Sequence, residues 1–128
     1  MILGLGVDSI EIARVAAKCS ESEYRFAERL FTDIERARAA RYRANPYQHL
    51  AACFAAREAF FKATQIWYGR HDVSVNQYPS GEPYYMLAPD IAVKLGKLVT
   101  RPGASVRVHL SLTHDSTHAT AFCICEEL

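Results

Sequence analysis

Tyr47-Gln48-His49-Leu50-Ala51-Ala52-Cys53-Phe54-Ala55-Ala56-Arg57-Glu58-Ala59-Phe60-Phe61-Lys62-Ala63-Thr64-Gln65-Ile66-Trp67-Tyr68 is the longest helical pattern in the chain. Asn45-Pro46 breaks the chain before it, and Gly69 supplies a stop after it. Leu50, Phe54 and Phe61 fall on one stripe, at spacings of four and seven. At roughly 100° per residue, Glu58 and Lys62 lie side by side at the edge of that stripe, one turn apart. A carboxylate next to Phe54 and Phe61 calls for a strong partner. An ordinary surface Glu–Lys pair is the competing account of the same spacing.

The N-terminal run Met1 to Val7 has the pattern of a buried strand. Leu3, Leu5 and Val7 share one face, and Ile2, Gly4, Gly6 and Asp8 share the other. Gly4 and Gly6 leave space beside the backbone, either for a ligand or for a packed helix. Asp8-Ser9 then opens a helix through about Ala17, with Asp8 and Glu11 spaced as a capping box. Asp8 is therefore either a helix cap or a metal ligand at the tip of a strand. Ser20 with Glu23 and Thr32 with Glu35 repeat the capping signal, and a helix runs over 33–44.

Beyond Gly69 the period changes. Asp72 to Tyr78 alternates as a strand, Pro79-Ser80-Gly81 turns, and Pro83 to Leu87 returns. Asp90 caps a short helix through Leu98. Val106, Val108, Leu110 and Leu112 alternate with Arg107, His109, Ser111 and Thr113. Ala119 to Cys125 forms the partner strand. One strand, several helices, then four strands with an inserted helix describes an α+β protein, its sheet mostly antiparallel and packed against a long helix.

The chain has 128 residues, half of them hydrophobic, enough for one domain spanning 1–128 with a modest core. A net charge of +1 argues against a general nucleic-acid binder. No stretch approaches the roughly 20 apolar residues of a membrane span, and no basic segment precedes the first apolar run, as a signal peptide would require. Four cysteines without a CxxC pair fit a reduced, cytoplasmic protein.

Asp8, Glu58 and Lys62 are the residues that point to chemistry. Magnesium takes hard oxygen ligands, often only one or two carboxylates, and keeps positions for water and substrate phosphates. A lysine adds a mobile positive charge for a phosphate or a leaving oxygen. Together they suit attack on phosphorus, where positioning and charge neutralisation do most of the work. Ser111 and His114, at a strand end, either touch a ligand or organise the turn through Asp115. His109, His114 and His118 lack a recognised zinc spacing. The arginines over 36–43, with Arg14, Lys18 and Arg25, are either a solvated face or a row of cations that steers an acidic partner.

Several segments in this order resemble the holo-acyl-carrier-protein synthases, the small class of 4′-phosphopantetheinyl transferases. They are Gly4-Leu5-Gly6-Val7-Asp8 with Arg14, Phe26-Ala27-Glu28-Arg29-Leu30-Phe31-Thr32 with Glu35, Phe54-Ala55-Ala56-Arg57-Glu58-Ala59-Phe60-Phe61-Lys62-Ala63, Gly81-Glu82-Pro83-Tyr84, and Val108-His109-Leu110-Ser111-Leu112-Thr113-His114-Asp115 with Ala119. The resemblance implies transfer of phosphopantetheine from coenzyme A to a serine of an apo acyl carrier protein, leaving 3′,5′-ADP. It implies that Asp8 and Glu58 bind magnesium, that Glu58 helps deprotonate the serine, and that Lys62 contacts the phosphates. It places Ser111, His114, Gly81 and Pro83 near the nucleotide, and Arg14, Lys18 and Arg25 where the acidic carrier helix docks. It implies a homotrimer with sites between neighbours. Arg57 stands where the family usually has lysine, Cys53 where it usually has arginine, and Gln65-Ile66-Trp67-Tyr68-Gly69 delays a glycine the family carries earlier. The first two departures motivate a second reading, a non-catalytic subunit that keeps the fold and docks the carrier.

Overall fold

The computed structural model describes residues 1–21 and 24–128, with side chains for residues 1–20 and 27–128. The elements run β1 (Ile2–Glu11), α1 (Ile12–Glu21), α2 (Tyr24–Leu30), α3 (Asp33–Arg41), α4 (Pro46–Thr64), β2 (Val73–Gln77), β3 (Pro83–Leu87), α5 (Pro89–Gly96), β4 (Val106–His114) and β5 (His118–Glu127). The class is α+β, as expected. The strands form two antiparallel sheets, one of order β1-β5-β4 and a separate β2-β3 hairpin. Among the described residues no helix is long and apolar enough to cross a membrane.

β1 does not end at Val7. Ser9, Ile10 and Glu11 pair with Thr120, Ala119 and His118 of β5, and the Ser9 and Thr120 hydroxyls bond across the ladder at 2.9 Å. Asp8 is thus a strand residue opposite Ala121, not a helix cap. The capping-box spacing to Glu11 is overridden because β5 offers each backbone group of this segment a ladder partner that a cap cannot match. α1 starts only at Ile12, whose N–H donates to Thr117 O at 2.9 Å. Ser20 lies inside α1 with its hydroxyl on Ala16 O; its proposed partner Glu23 lies outside the described residues. The Thr32–Glu35 box does form. Thr32 Oγ1 accepts from Glu35 N, and the Glu35 carboxylate accepts from Thr32 N.

α4 begins with Asn45 as N-cap, its side chain accepting from Gln48 N at 3.2 Å. It ends at Thr64, before Gly69. Gln65 takes the left-handed conformation (φ 57°, ψ 21°) usually left to glycine. The strain is of order 1–2 kcal/mol, and the Gln65 amide offsets part of it by donating to Lys62 O at 3.1 Å. α5 likewise starts without the expected Asp90 cap. Ala88 is the N-cap with no side-chain bond, and Pro89 occupies the first turn, where its missing N–H costs nothing.

The buried face of α4 is not the stripe of large residues. Leu50 is buried, but Phe54 and Phe61 are only partly covered. The fully enclosed residues are Ala51, Cys53, Ala55, Ala56, Ala59 and Phe60. Small side chains let β1 approach. A Cβ at Gly6 would sit 1.9 Å from Ala59 O, and one at Gly4 equally close to Ala63 O. The two glycines therefore accommodate a packed helix. The opposite face of β1 is open, with Leu5 58% and Val7 54% exposed, so the run Met1 to Val7 is not buried on both sides.

Candidate active site

Gly4 and Gly6 share their face of β1 with Asp8, so the contact that seats α4 also carries Asp8 to the helix. Lys62 Nζ reaches across, donating to Val7 O at 2.9 Å and to Asp8 Oδ1 at 3.3 Å. Glu58 lies one turn earlier on α4, half-buried, with no hydrogen-bond or ion-pair partner among the described residues. Lys62 pairs with Asp8 rather than with Glu58, so the surface-pair account of the Glu–Lys spacing does not hold. Burial pushes the Tyr68 pKa up to about 12; the Glu58 carboxylate adds to the rise, the Arg57 guanidinium opposes it, and Asp8 and Glu35 add smaller upward pulls.

A second group gathers at the other end of α4. Gly81, Pro83 and His114 line a cleft of about 220 Å³ together with Gln48, His49 and Tyr42. Sequence reasoning found the first three and missed the α4 contributors, because Gln48 and His49 carry no motif of their own. The His49 ring stacks on Tyr42 at 5.3 Å. Burial lowers the His49 pKa, against a weaker upward pull from Glu35 and a further downward push from Arg38. Ser111 is not in this cleft. It is an exposed residue of β4 opposite Phe122, and strand alternation turns it away from the face of Leu112 and His114. Asp115 organises the adjoining turn. Its carboxylate accepts from His118 N, Thr117 N and the Thr117 hydroxyl, which hold its pKa at about 2. His109 pairs with Glu126 Oε2 at 2.7 Å, and His118 bonds Thr117, so the three histidines go separate ways.

Arg14 and Lys18 flank a groove of about 160 Å³ floored by Ile10, Val15, Leu30 and Phe54. The side chain of Arg25 lies outside the described residues. Of the arginines on α3, Arg38 is occupied by the β2–β3 hairpin, donating to the Asn76 and Gln77 side chains and to Gln77 O.

The two departures that motivated a non-catalytic reading lie in the core. Arg57 donates to both oxygens of Glu35, at 2.5 and 2.7 Å, and to Leu30 O at 2.6 Å. Cys53 is fully buried, and burial raises its thiol pKa well above the ordinary value. Both side chains are thus taken up by the interior, Arg57 by Glu35 and Leu30 and Cys53 by its enclosure.

A family model described as the 4′-phosphopantetheinyl transferase superfamily matches residues 4–123. The chain belongs to this superfamily. Among relatives of this transferase family, a holo-[acyl-carrier-protein] synthase of Sphingopyxis alaskensis is 41% identical, covering 100% of this chain and 98% of that one. The solved holo-[acyl-carrier-protein] synthase of Neisseria meningitidis superposes with a TM-score of 0.84 at 28% identity, over 98% of this chain and 99% of that one. The Bacillus anthracis holo-(acyl-carrier-protein) synthase, solved in complex with CoA (3′,5′-ADP), superposes with a TM-score of 0.76 at 27% identity, over 98% and 97%.

Proposed function

We propose that the protein transfers 4′-phosphopantetheine from coenzyme A to a serine of an apo acyl carrier protein, releasing 3′,5′-ADP. The observation that carries the reading is the contact of Lys62 with Asp8, with Glu58 one turn before Lys62 on α4, in a chain of this superfamily. The serine oxygen forms a bond to the phosphorus that bears the pantetheine arm, and the bond from that phosphorus to the 3′,5′-ADP oxygen breaks. Glu58, with no partner among the described residues, is free to take the serine proton. Lys62 supports the charge that grows on the leaving oxygen. The nucleotide is assigned to the Gly81, Pro83 and His114 cleft.

The donor set fits magnesium: Asp8 and Glu58 are hard oxygen donors, and magnesium needs only one or two carboxylates while keeping positions for water and phosphate oxygens. Asp8 and Glu58 would hold the ion, which would neutralise the diphosphate. Lys62 would then give up its contact with Asp8 to the phosphates.

The carrier is assigned to the groove between Arg14 and Lys18, whose apolar floor and cationic rim suit an acidic amphipathic helix. Arg25 is proposed to bind the carrier as well. Leu5, Val7 and Phe122, all exposed, give the outer face of the three-stranded sheet an apolar patch suited to packing three copies together. Ser111 shares that face, so its contact with a nucleotide would be made across a subunit boundary. Four free, buried cysteines accord with a reducing cytoplasmic setting.

The test is incubation with coenzyme A, magnesium and several apo carriers, followed by mass spectrometry of the carrier serine. The expected result is addition of one phosphopantetheine. Glu58→Gln should slow transfer by ~10²–10⁴-fold without moving the thermal midpoint. A fully active Glu58→Gln would remove the proposed base.

A further inference from the structure

The chain's only tryptophan is also its most conspicuous exposed hydrophobic residue. Trp67 is 77% exposed, more than any other large apolar side chain among the described residues. It is not a loose side chain. Its ring lies 4.5 Å from that of Phe61, the residue immediately before Lys62. The backbone on both sides is anchored. Gln65 N donates to Phe61 O at 2.7 Å, and Ile66 is buried with its N–H on Thr64 Oγ1. On the other side Tyr68 packs edge-on against Phe60. Ile66 points in, Trp67 out and Tyr68 in, as an extended segment alternates. A bare indole thus stands just past the C-terminal end of α4, against Phe61, at the same end of the helix as Lys62.

We infer that Trp67, backed by Phe61, is the binding surface for the pantetheine arm of coenzyme A. The inference rests on the transferase reading above and adds a specificity residue to it. Each part of the substrate has a chemistry to be matched. The charged diphosphate suits Lys62. The nucleotide suits the cleft at the opposite end of α4, where Ala52 lies about 15 Å along the helix axis from Lys62. The remaining part is an uncharged chain of methyl, methylene and amide groups. An indole offers it an apolar face and one N–H donor. Trp67 follows Lys62 on the side away from the cleft, the order in which arm, diphosphate and nucleotide are joined. An arm seated there holds its own phosphorus against Lys62 while the serine approaches.

A single tryptophan makes the test direct. Coenzyme A should move the intrinsic emission to shorter wavelength, whereas 3′,5′-ADP, which lacks the arm, should leave it in place. Trp67→Ala should raise the KM for coenzyme A about tenfold, the scale of one good aromatic contact. It should leave the affinity for 3′,5′-ADP unchanged, and Trp67→Phe should recover most of the loss. An equal emission shift with both ligands, or an equal loss of affinity for both in Trp67→Ala, would overturn the assignment. So would emission that follows protein concentration alone, which would mean that a second copy covers the indole. Calorimetric binding of coenzyme A with unchanged emission defeats this inference while leaving the transferase reading intact. No binding of coenzyme A at all defeats both.

Discussion

Helix α4 carries two cation–carboxylate pairs that differ in nearly every physical respect. Arg57–Glu35 is enclosed, with the two side chains 8% and 0% exposed. Glu35 accepts from Arg57, Thr32 N and Val75 N, so one carboxylate ties α3, α4 and β2 together. The Arg57 guanidinium also lies over the Phe31 ring at 5.3 Å. Lys62–Asp8 is open, with side chains 50% and 20% exposed and a contact of 3.3 Å. Among the described residues nothing else holds the Asp8 carboxylate. Saturated hydrogen bonding marks the first pair as architecture. Unsaturated bonding in the second supports the proposal that a ligand completes the set there.

The largest effect should come from breaking the closed pair. Arg57→Met leaves a buried carboxylate without its counter-charge, and such losses cost about 3–5 kcal/mol. That is a large share of the ~5–15 kcal/mol that holds a domain of this kind together. Chemical denaturation should show it as a lowered midpoint with an unchanged slope. Replacing Glu35 and Arg57 together by apolar residues should recover part of the loss. A stable Arg57→Met protein would place this pair in the same class as the open one.

An intermediate effect is expected where the two halves of the open site meet. Gly6→Ala puts a methyl carbon 1.9 Å from Ala59 O, a backbone atom that cannot rotate aside. β1 must then move away from α4, at a cost of about 1–3 kcal/mol for overpacking. The displacement should separate Asp8 from Lys62 and reduce transfer more than the loss of stability alone explains. Comparing carrier modification with the thermal midpoint of the same variant measures the difference. If activity survives intact, the spacing of β1 and α4 does not set the site.

These contrasts also show what was legible in the chain and what was not. The Thr32–Glu35 capping box was readable because both partners are local, and the antiparallel strands were readable because alternation is local. The role of Asp8 was ambiguous because its helix-capping pattern competes with a strand pairing made by residues 118–121, far away in the chain. The stripe of Leu50, Phe54 and Phe61 misled because burial here follows closeness of approach. Alanines and glycines, weak signals in a hydrophobic pattern, make the tightest contact. Arg57 looked like a change at the site because it adjoins Glu58, yet about 100° of helical rotation sends neighbouring side chains to different environments. The carboxylate–lysine cluster was recognisable by residue type. The cleft contributors Gln48 and His49, and the exposed Trp67, were not, since only the fold says which side chains a cavity or a rim will hold.

The smallest effect on stability, and the sharpest test of the comparison, belongs to Lys62→Met. Lys62 is half-exposed and contacts Asp8 in solvent-screened surroundings, where ion pairs contribute about 0.2–1 kcal/mol. The methylene stem that methionine keeps retains most of the packing. The thermal midpoint should therefore barely move, and raising the salt concentration should shrink even that difference. Transfer to the carrier should nevertheless fall, because the charge proposed to face the phosphates is gone. Arg57→Met inverts the pattern, with a large stability loss and no direct loss of a group facing substrate. If Lys62→Met instead destabilised the protein as strongly as Arg57→Met, Lys62 would be a structural strut between α4 and β1, and the open pair would lose its claim to function.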